Sequence, residues 1–488
     1  MHTSNIIENT YKTPGKAHQL KALELGAYAP YFAYLMEMGT GKSWVYINNI
    51  AWLYRAKEIG AAIYLAPKGA YRDFCDIQIQ AHMPEDIPYE LLIWQSPLPK
   101  DWDERVKRAY KSDKLVILCM NVESLAYDSG QEFLWRFIEK VPGQIMMGID
   151  ESTCIKNHKT KRGAFLIKMG KYVKYRRIMS GSPITRSPLD MFGQAMFLSS
   201  KALGFTSYYA FRARYAVMRE QKLTGGRTIP IVTGYQRLDE LKDVVKRFSF
   251  RVLKKDCLDL PPKIYQYRDV ELTKEQIAAY KQLAKEGVAY LGEEHGTVTA
   301  VGTLALLTRL QQVTCGFIGL EDGSVLDLPS KRLDTLMETV EQVSGKAIIW
   351  SHFTHNIRQI IDALRKEYGD ESVVHYYGAT TDDERALAKN RFQNDPKCRF
   401  FVGNPATGRY SLTLTKATTV IYFSNSYDLE FRNQSEDRAH RIGQDESVVY
   451  IDLVSRKTTD ELIYKSLKMK IDIASSITGD DLKEWLVL

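Results

Sequence analysis

Short apolar runs, each ending in polar or small residues, recur along this chain in two separate series, and that recurrence restricts the architecture more than any other feature. The first series is YFAYLM, AAIYLAP, KLVILCMN, QIMMGID and RRIMSGSP, with stretches of helical periodicity between the runs. One of these, SWVYINNIAWLYRAKEIG, follows the first run and is expected to be helical as far as Gly60. Alternation of this kind predicts a parallel sheet that binds ligands at the carboxyl ends of its strands. A second series, KAIIWSHFT, SVVHYYGAT, CRFFVGNP, TTVIYFSN and VVYIDLV, predicts a second lobe of similar build. The fold expected is α/β, with two tandem lobes and helical insertions.

A length of 488 residues exceeds what a single hydrophobic core organises, in keeping with two lobes. The composition divides the chain into a first lobe at 1–198, a helical and basic protrusion at 199–250, a linker at 251–263, a second helical protrusion at 264–330 and a second lobe at 331–488. Pro261 and Pro262 cannot continue a helix and mark the linker. Within the second protrusion, EGVAYLGEEHGTVTA is expected to form a loop. The net charge of +8 suits a polyanionic partner without requiring one. Six cysteines without a CxxC pair suggest neither a zinc site nor a disulfide framework. The polar start MHTSNIIENTYKTPGK lacks an apolar signal region and no run is long enough to span a bilayer, so the expected compartment is the cytoplasm, with no membrane partner.

The chemistry begins at MEMGTGKS. Gly39, Thr40, Gly41, Lys42 and Ser43 follow a strand and open a helix, so backbone N–H groups can cradle phosphates while Lys42 meets the β/γ oxygens and Ser43 holds Mg2+. In GIDEST, Asp150 ends a strand where its carboxylate can reach the metal shell, and Glu151 can orient or deprotonate an attacking water. Alone, such an acidic pair would be a solvated turn; its partnership with the phosphate loop changes the reading. In QSEDRAHRIGQ, Arg438 and Arg441 stand three apart, which places them on one helical face and lets both reach a nucleotide held by the other lobe. The competing reading is a surface charge cluster with Glu436 and Asp437.

Gln19 either reads an adenine edge through its amide or is an ordinary surface glutamine. Ser180 to Pro183, at another strand end, offers hydroxyls that could sense the γ-phosphate. Residues placed at strand ends for sequence-independent nucleic-acid contact are Lys68, Asn121, Ser351, His352, Thr354, Thr413 and Thr415, although each could equally cap a strand or helix.

The ordered set MEMGTGKS, DESTCIKN, VLKKDCLDLPPK, TRLQQVTCG, YYGATTDDERALAKNRFQND and QSEDRAHRIGQ resembles the Snf family of helicase superfamily two, which includes the ATPases of SWI/SNF-type remodelers. The resemblance runs from about Gln19 to Ile471. It implies two RecA-like lobes, ATP and Mg2+ as cofactors, and translocation on double-stranded DNA without processive strand separation. It assigns ATP binding to Gly39 through Ser43 with Gln434, metal and water chemistry to Asp150 and Glu151, and arginine fingers to Arg438 and Arg441. DEST with SGSPITRSPLDMFGQ is most similar to the branch that includes annealing helicases.

The chain departs from the family pattern at Met36, where Asp is usual, and at RYSLTLT, where Arg409, Ser411 and Thr413 replace Gly, Gly and Asn. No chromatin-reading, zinc or nuclease segment accompanies the motifs, which is more typical of bacterial or phage forms and argues against nucleosome remodeling. The expectation is a monomeric, DNA-dependent ATPase on duplex or branched DNA, used with replication, recombination or repair proteins in branch migration or strand annealing. A strand-separating helicase on RNA or single strands is the first alternative, opposed by Gln444 and Ser447 where a third arginine would stand. A non-catalytic, nucleotide-responsive scaffold on DNA is the second.

Overall fold

A computed structural model of the chain describes residues 11–222, 228–293, 300–320, 322–407 and 412–478. Arg409 and Ser411, the glycine-rich part of LTGGRTIP and the end of the expected 286–300 loop lie outside the described residues. The chain divides into two units: one holds the residues through Tyr215 with Tyr235–Asp259, and the other holds Ala216–Gly234 and Leu260–Asp472.

The first unit is built on β1 (Tyr31–Met36), β2 (Ala61–Ala66), β3 (Tyr89–Ile93), β4 (Leu115–Asn121), β5 (Ile145–Asp150) and β6 (Tyr175–Met179). These are the apolar runs of the first series, plus one run, YELLI, that the sequence reading passed over. After β7 (Ala216–Lys222) and β8 (Thr228–Tyr235), which pair with each other as a two-stranded sheet, β9 (Ser249–Val252) returns to complete the order β3-β4-β2-β5-β6-β1-β9. The pairings given within this sheet are parallel, so the carboxyl ends of β1, β5 and β6 lie along one edge. β2 is buried at every position, as a central strand covered on both faces must be.

The helix after β1 is Lys42–Arg55 and stops short of Gly60. Lys57 takes a left-handed φ of 56°, which ends the helix, and Gly60 is left to pass close against the backbone of Pro142 and Gly143. Residues 199–250 are not simply helical either. Helices Tyr208–Tyr215 and Leu238–Lys246 flank β7 and β8, and β9 belongs to the lobe sheet. The β-branched residues that dominate TIPIVTGY favour a strand over a helix.

In the second unit, β10 (Lys263–Asp269) is followed by helices Lys274–Glu293 and Ala300–Thr314 and the paired β11 (Phe317–Gly319) and β12 (Val325–Asp327). The loop expected from residue 286 begins later, because the helix continues through Glu293; EGVAYLGE is rich in good helix formers, which outweigh its glycines. Then come β13 (Lys346–Trp350), β14 (Val373–Tyr376), β15 (Phe400–Gly403), β16 (Ala417–Tyr422) and β17 (Val448–Val454), in the sheet order β10-β17-β16-β13-β15-β14 with parallel pairings throughout.

A buried charge fastens each unit. In the first, Arg177 donates to Asn49 Oδ1 at 2.9 Å and to the carbonyls of Gly26 and Ala27 at 2.8 and 2.9 Å. In the second, Arg332 pairs with Asp460 and donates to the Thr314 carbonyl at 3.0 Å. Removing either partner of such a pair would leave a buried charge unmatched. Among the described residues no helix is long and apolar enough to cross a membrane, and the cysteines are free.

Candidate active site

The loop between β1 and the helix Lys42–Arg55 is shaped by two glycines with positive φ, Gly39 at 81° and Gly41 at 90°. Thr40 is buried and its hydroxyl donates to the Glu37 carbonyl at 2.7 Å, closing the turn. The result aims the unpaired N–H groups of a long helix toward the strand edge, the arrangement that binds phosphate. The Lys42 ammonium donates to the Met36 carbonyl at 3.2 Å and lies 3.7 Å from Glu151 Oε1, both side chains being buried.

Gln19 is neither a surface glutamine nor aimed at open space. It is buried: its Oε1 accepts from the Lys16 amide at 2.7 Å and its Nε2 donates to the Thr40 carbonyl at 3.4 Å. A Cβ at Gly41 would lie 1.9 Å from that nitrogen. The amide therefore braces the phosphate loop, with the His18 ring 2.8 Å from the same Thr40 oxygen.

Both carboxylate oxygens of Asp150 have partners: Tyr64 Oη donates to Oδ2 at 2.7 Å and the Glu151 amide to Oδ1 at 2.9 Å. Glu151 adopts φ 46° and ψ 58°, a left-handed conformation that costs a non-glycine residue about 1–3 kcal/mol. That turn carries the chain from β5 into a short helical turn at Ser152–Ile155 and leaves the Glu151 carboxylate beside Lys42.

The SGSP turn closes the same edge. Ser180 is buried and its Oγ accepts from the Ser182 amide at 3.1 Å, while a Cβ at Gly181 would come within 3.1 Å of the Met38 amide nitrogen. Two residues that the sequence reading missed tie these pieces together. Gln194 accepts from Ser152 Oγ at 2.6 Å and donates to the Pro183 carbonyl at 2.7 Å, joining the acidic turn to SGSP. Arg251 donates to the carbonyls of Leu35 and Gly181 at 3.1 and 2.9 Å, joining SGSP to β1. Gln194 has a legible signal, a polar side chain inside the apolar helix Met191–Leu198. Arg251 has none, because nothing local distinguishes a strand-end arginine.

The donor set suits Mg2+ held with a nucleotide. Among the described residues no three acidic, histidine or cysteine side chains cluster as an all-protein metal cage, whereas Mg2+ is commonly held by one or two carboxylates together with substrate phosphates. Asp150 and the Ser43 hydroxyl are the oxygen donors that would take that part, adjacent in sequence to Glu151 and Lys42, whose side chains lie 3.7 Å apart.

In the second unit the helix Leu429–Glu436 ends before the two arginines, so Arg438 and Arg441 sit on a turn and not on one helical face. They converge nonetheless, each donating to the Leu412 carbonyl at 3.2 Å, with Arg441 also 2.9 Å from Thr413 Oγ1. Gln444 pins this turn by donating to the carbonyls of Ala417 and Ala439 at 2.9 and 3.2 Å. Gln434 is buried, its amide donating to Glu430 at 3.1 Å. Nor is Glu436 part of a surface charge cluster: it is 1% exposed and accepts from Arg432, Tyr265 and Lys263 at 2.8, 2.8 and 2.9 Å. Burial alone would raise its pKa, but the Lys263 and Arg432 charges outweigh it and hold the carboxyl down at about 2.

Of the nucleic-acid candidates, Lys68 and Asn121 line one cavity of about 750 Å³ with Arg72, Trp94 and Gln95. Ser351 is fully buried, its Oγ 3.3 Å from that of Ser424, so its side chain is a core contact and not a surface one. His352 is partly buried, which lowers its pKa, and its carbonyl accepts from Asn404 at 2.8 Å. The Thr413 hydroxyl is taken by Arg441 and that of Thr415 by Gln393 at 3.3 Å. Thr354 alone among these second-unit residues is exposed, at the start of the helix Thr354–Tyr368.

Two α/β units, each built on a parallel sheet, the first carrying a glycine loop beside a strained acidic turn, define the class of two-lobed helicase-like nucleotide-binding proteins. The chain belongs to the SNF2-related family: residues 35–316 match the SNF2-related domain, and residues 331–443 match the helicase conserved C-terminal domain. It is 25% identical over 443 residues to the DNA annealing helicase and endonuclease ZRANB3 of Bos taurus, covering 90% of this chain and 38% of that protein. With the putative ATP-dependent helicase/translocase YwqA of Bacillus subtilis it shares 25% identity over 348 residues, 69% of this chain and 36% of that one. The chain spans less than half the length of these curated relatives. Among solved structures, the Sulfolobus solfataricus SWI2/SNF2 ATPase core in complex with dsDNA aligns over 98% of this chain and 96% of that one, at 22% identity and a TM-score of 0.43.

Proposed function

We propose that this chain is an ATP-hydrolysing motor that moves on double-stranded or branched DNA, as a monomer, in replication, recombination or repair, with branch migration or strand annealing as its output. The observation that carries the reading is the 3.7 Å approach of Lys42 to Glu151, which brings the phosphate loop and the acidic turn to one point. In this reading Lys42 meets the β/γ oxygens of ATP, the helix N–H groups and Gly39 through Ser43 cradle the phosphates, and Glu151 orients the attacking water and takes its proton. Ser43 and Asp150 would hold Mg2+, which supplies charge neutralisation at the phosphates. Displacement of Lys42 from Glu151 by phosphate would release that carboxylate for its task.

The proposal gives Arg438, Arg441 and Gln434 of the second lobe the role of completing the site when the lobes close on nucleotide. Of the two motor lobes, one would be the unit built on β1–β6 with β9 and the other the unit built on β10 and β13–β17, with the segments between β6 and β9 and between β10 and β13 as protrusions and residues 253–262 as the linker. Gln194 would relay between the acidic turn and SGSP, the side from which DNA is sensed. Lys68, Asn121, His352 and Thr354 are the proposed DNA contacts. Support for a duplex or branched substrate comes from the family and from relatives named as annealing helicase and translocase. The test is ATP turnover without DNA and with single-stranded, duplex, forked and four-way DNA. Stimulation by duplex or forked DNA is expected, and turnover that is the same with and without DNA would end the proposal.

A further inference from the structure

We infer that Tyr64 is a positioning residue for Asp150, setting the rotation of the carboxylate that a metal–nucleotide complex meets; the inference rests on the nucleotide site proposed above. Gly148 leaves one face of β5 without a side chain. Tyr64 in β2 stands opposite Gly148 in the parallel register, and a Cβ on Gly148 would lie 2.3 Å from the Tyr46 ring. The Tyr46 ring fills the slot that this glycine leaves, and the Tyr64 ring lies 5.6 Å from it. Tyr46 turns its hydroxyl to the Ile63 carbonyl at 2.8 Å. Tyr64 turns its own to Asp150, which lies two residues beyond Gly148 and so on the same face of the strand.

The contact is held from both sides. At the carboxylate, Oδ2 takes the Tyr64 hydroxyl at 2.7 Å and Oδ1 takes the Glu151 amide at 2.9 Å, so neither oxygen can rotate without losing a donor. Behind the tyrosine, Phe74 stacks on its ring at 3.6 Å and 10°. Phe74 opens a π-helical turn, Phe74–Gln78, that interrupts the helical run begun at Lys68, and such turns are rare and concentrate at functional sites. Both rings are buried, at 2% and 1% exposure, where a phenylalanine at position 64 would satisfy packing alone. A partner that orients a metal-binding carboxylate acts on metal affinity more than on fold.

The experiment uses the full chain with Mn2+ as a paramagnetic probe and ADP, titrated by electron paramagnetic resonance. Tyr64→Phe keeps the ring and its stack and removes only the hydroxyl. Half-saturation by Mn2+ in the presence of ADP is expected to rise about 10-fold, while ADP binding with metal chelated matches wild type. Phe74→Leu keeps the hydroxyl but frees the ring; it should shift Mn2+ binding in the same direction by less, and it carries the test if Tyr64→Phe does not fold. A Tyr64→Phe chain that melts earlier yet binds Mn2+ as tightly as wild type overturns the inference. A wild-type chain that binds no Mn2+ with ADP overturns the nucleotide-site reading beneath it.

Discussion

Lys42 and Glu151 form a buried ion pair at 3.7 Å although the strands that deliver them are not neighbours, β6 lying between β1 and β5. The left-handed turn at Glu151 and the two positive-φ glycines of the phosphate loop bring them together. Glu151→Gln is expected to retain nucleotide binding and to lower ATP turnover by about 10²- to 10⁴-fold, the usual worth of a general base. Phosphate release and displacement of a fluorescent nucleotide measure the two quantities separately. Turnover at the wild-type rate would remove Glu151 from the chemistry.

Gly41→Ala tests the loop itself. A methyl group there meets Gln19 Nε2 at 1.9 Å and sits at φ 90°, so either the loop or the amide that braces it must move. Nucleotide affinity is expected to fall at least tenfold by equilibrium titration; unaltered affinity would mean that the loop does not hold phosphate.

The two arginines of the second unit should separate by burial. Arg438 is 2% exposed, whereas Arg441 is partly exposed, although both reach the Leu412 carbonyl. Arg441→Ala is expected to lower DNA-stimulated turnover by about 10³-fold or more, as loss of an arginine finger does, with little change in melting temperature. Arg438→Ala should lower both. A variant at Arg441 with full turnover would contradict the assignment of fingers.

Gln194→Leu leaves the Ser152 hydroxyl and the Pro183 carbonyl without their partner. A stability loss of about 1–3 kcal/mol is expected from the unsatisfied groups, readable by urea titration. Stimulation of ATP turnover by duplex DNA should fall more than the DNA-free rate, and equal loss of both would reduce Gln194 to a packing residue.

Glu436 sets a pH dependence. Its folded pKa of about 2 lies below the ordinary 4.5, so the ionised form stabilises the fold at any pH above 4.5 and the contribution is lost as pH falls from 4.5 toward 2. The amount at stake is on the order of 3 kcal/mol. Urea titrations of wild type and Glu436→Gln across that range should converge at the acid end, with the variant less stable at neutral pH because Lys263 and Arg432 each lose one of their two carboxylate partners. Parallel pH profiles would show that Glu436 does not titrate differently in the folded state.

Most of the parallel sheet core was readable from sequence, since strands such as AAIYLA and VVYIDLV are apolar on both faces and bounded by turn residues. The glycine loop after β1 and the acidic turn after β5 were also legible, because each is a run of adjacent residues at a strand end. What stayed hidden depends on distant pairing. Arg251 acts through the carbonyls of Leu35 and Gly181, and Tyr64 through a carboxylate on another strand. The helical face expected for Arg438 and Arg441 failed because a three-residue spacing fits a turn as well as a helix, and Gln444 anchors the turn from beyond it. Ser351 misled for a similar reason: a strand-end serine can point inward to another serine, Ser424.

The strand β9 pairs along β1 from Ala33 to Met36, and shortly after it ends the Lys254 amide is clipped to Glu37 Oε2 at 2.7 Å. The stretch of chain that leads away toward residue 260 is thus sewn at its departure point to the residue that follows β1, where the glycine loop begins. A pull on that stretch is carried by the β1–β9 pairing and by the Glu37 contact, at the mouth of the glycine loop.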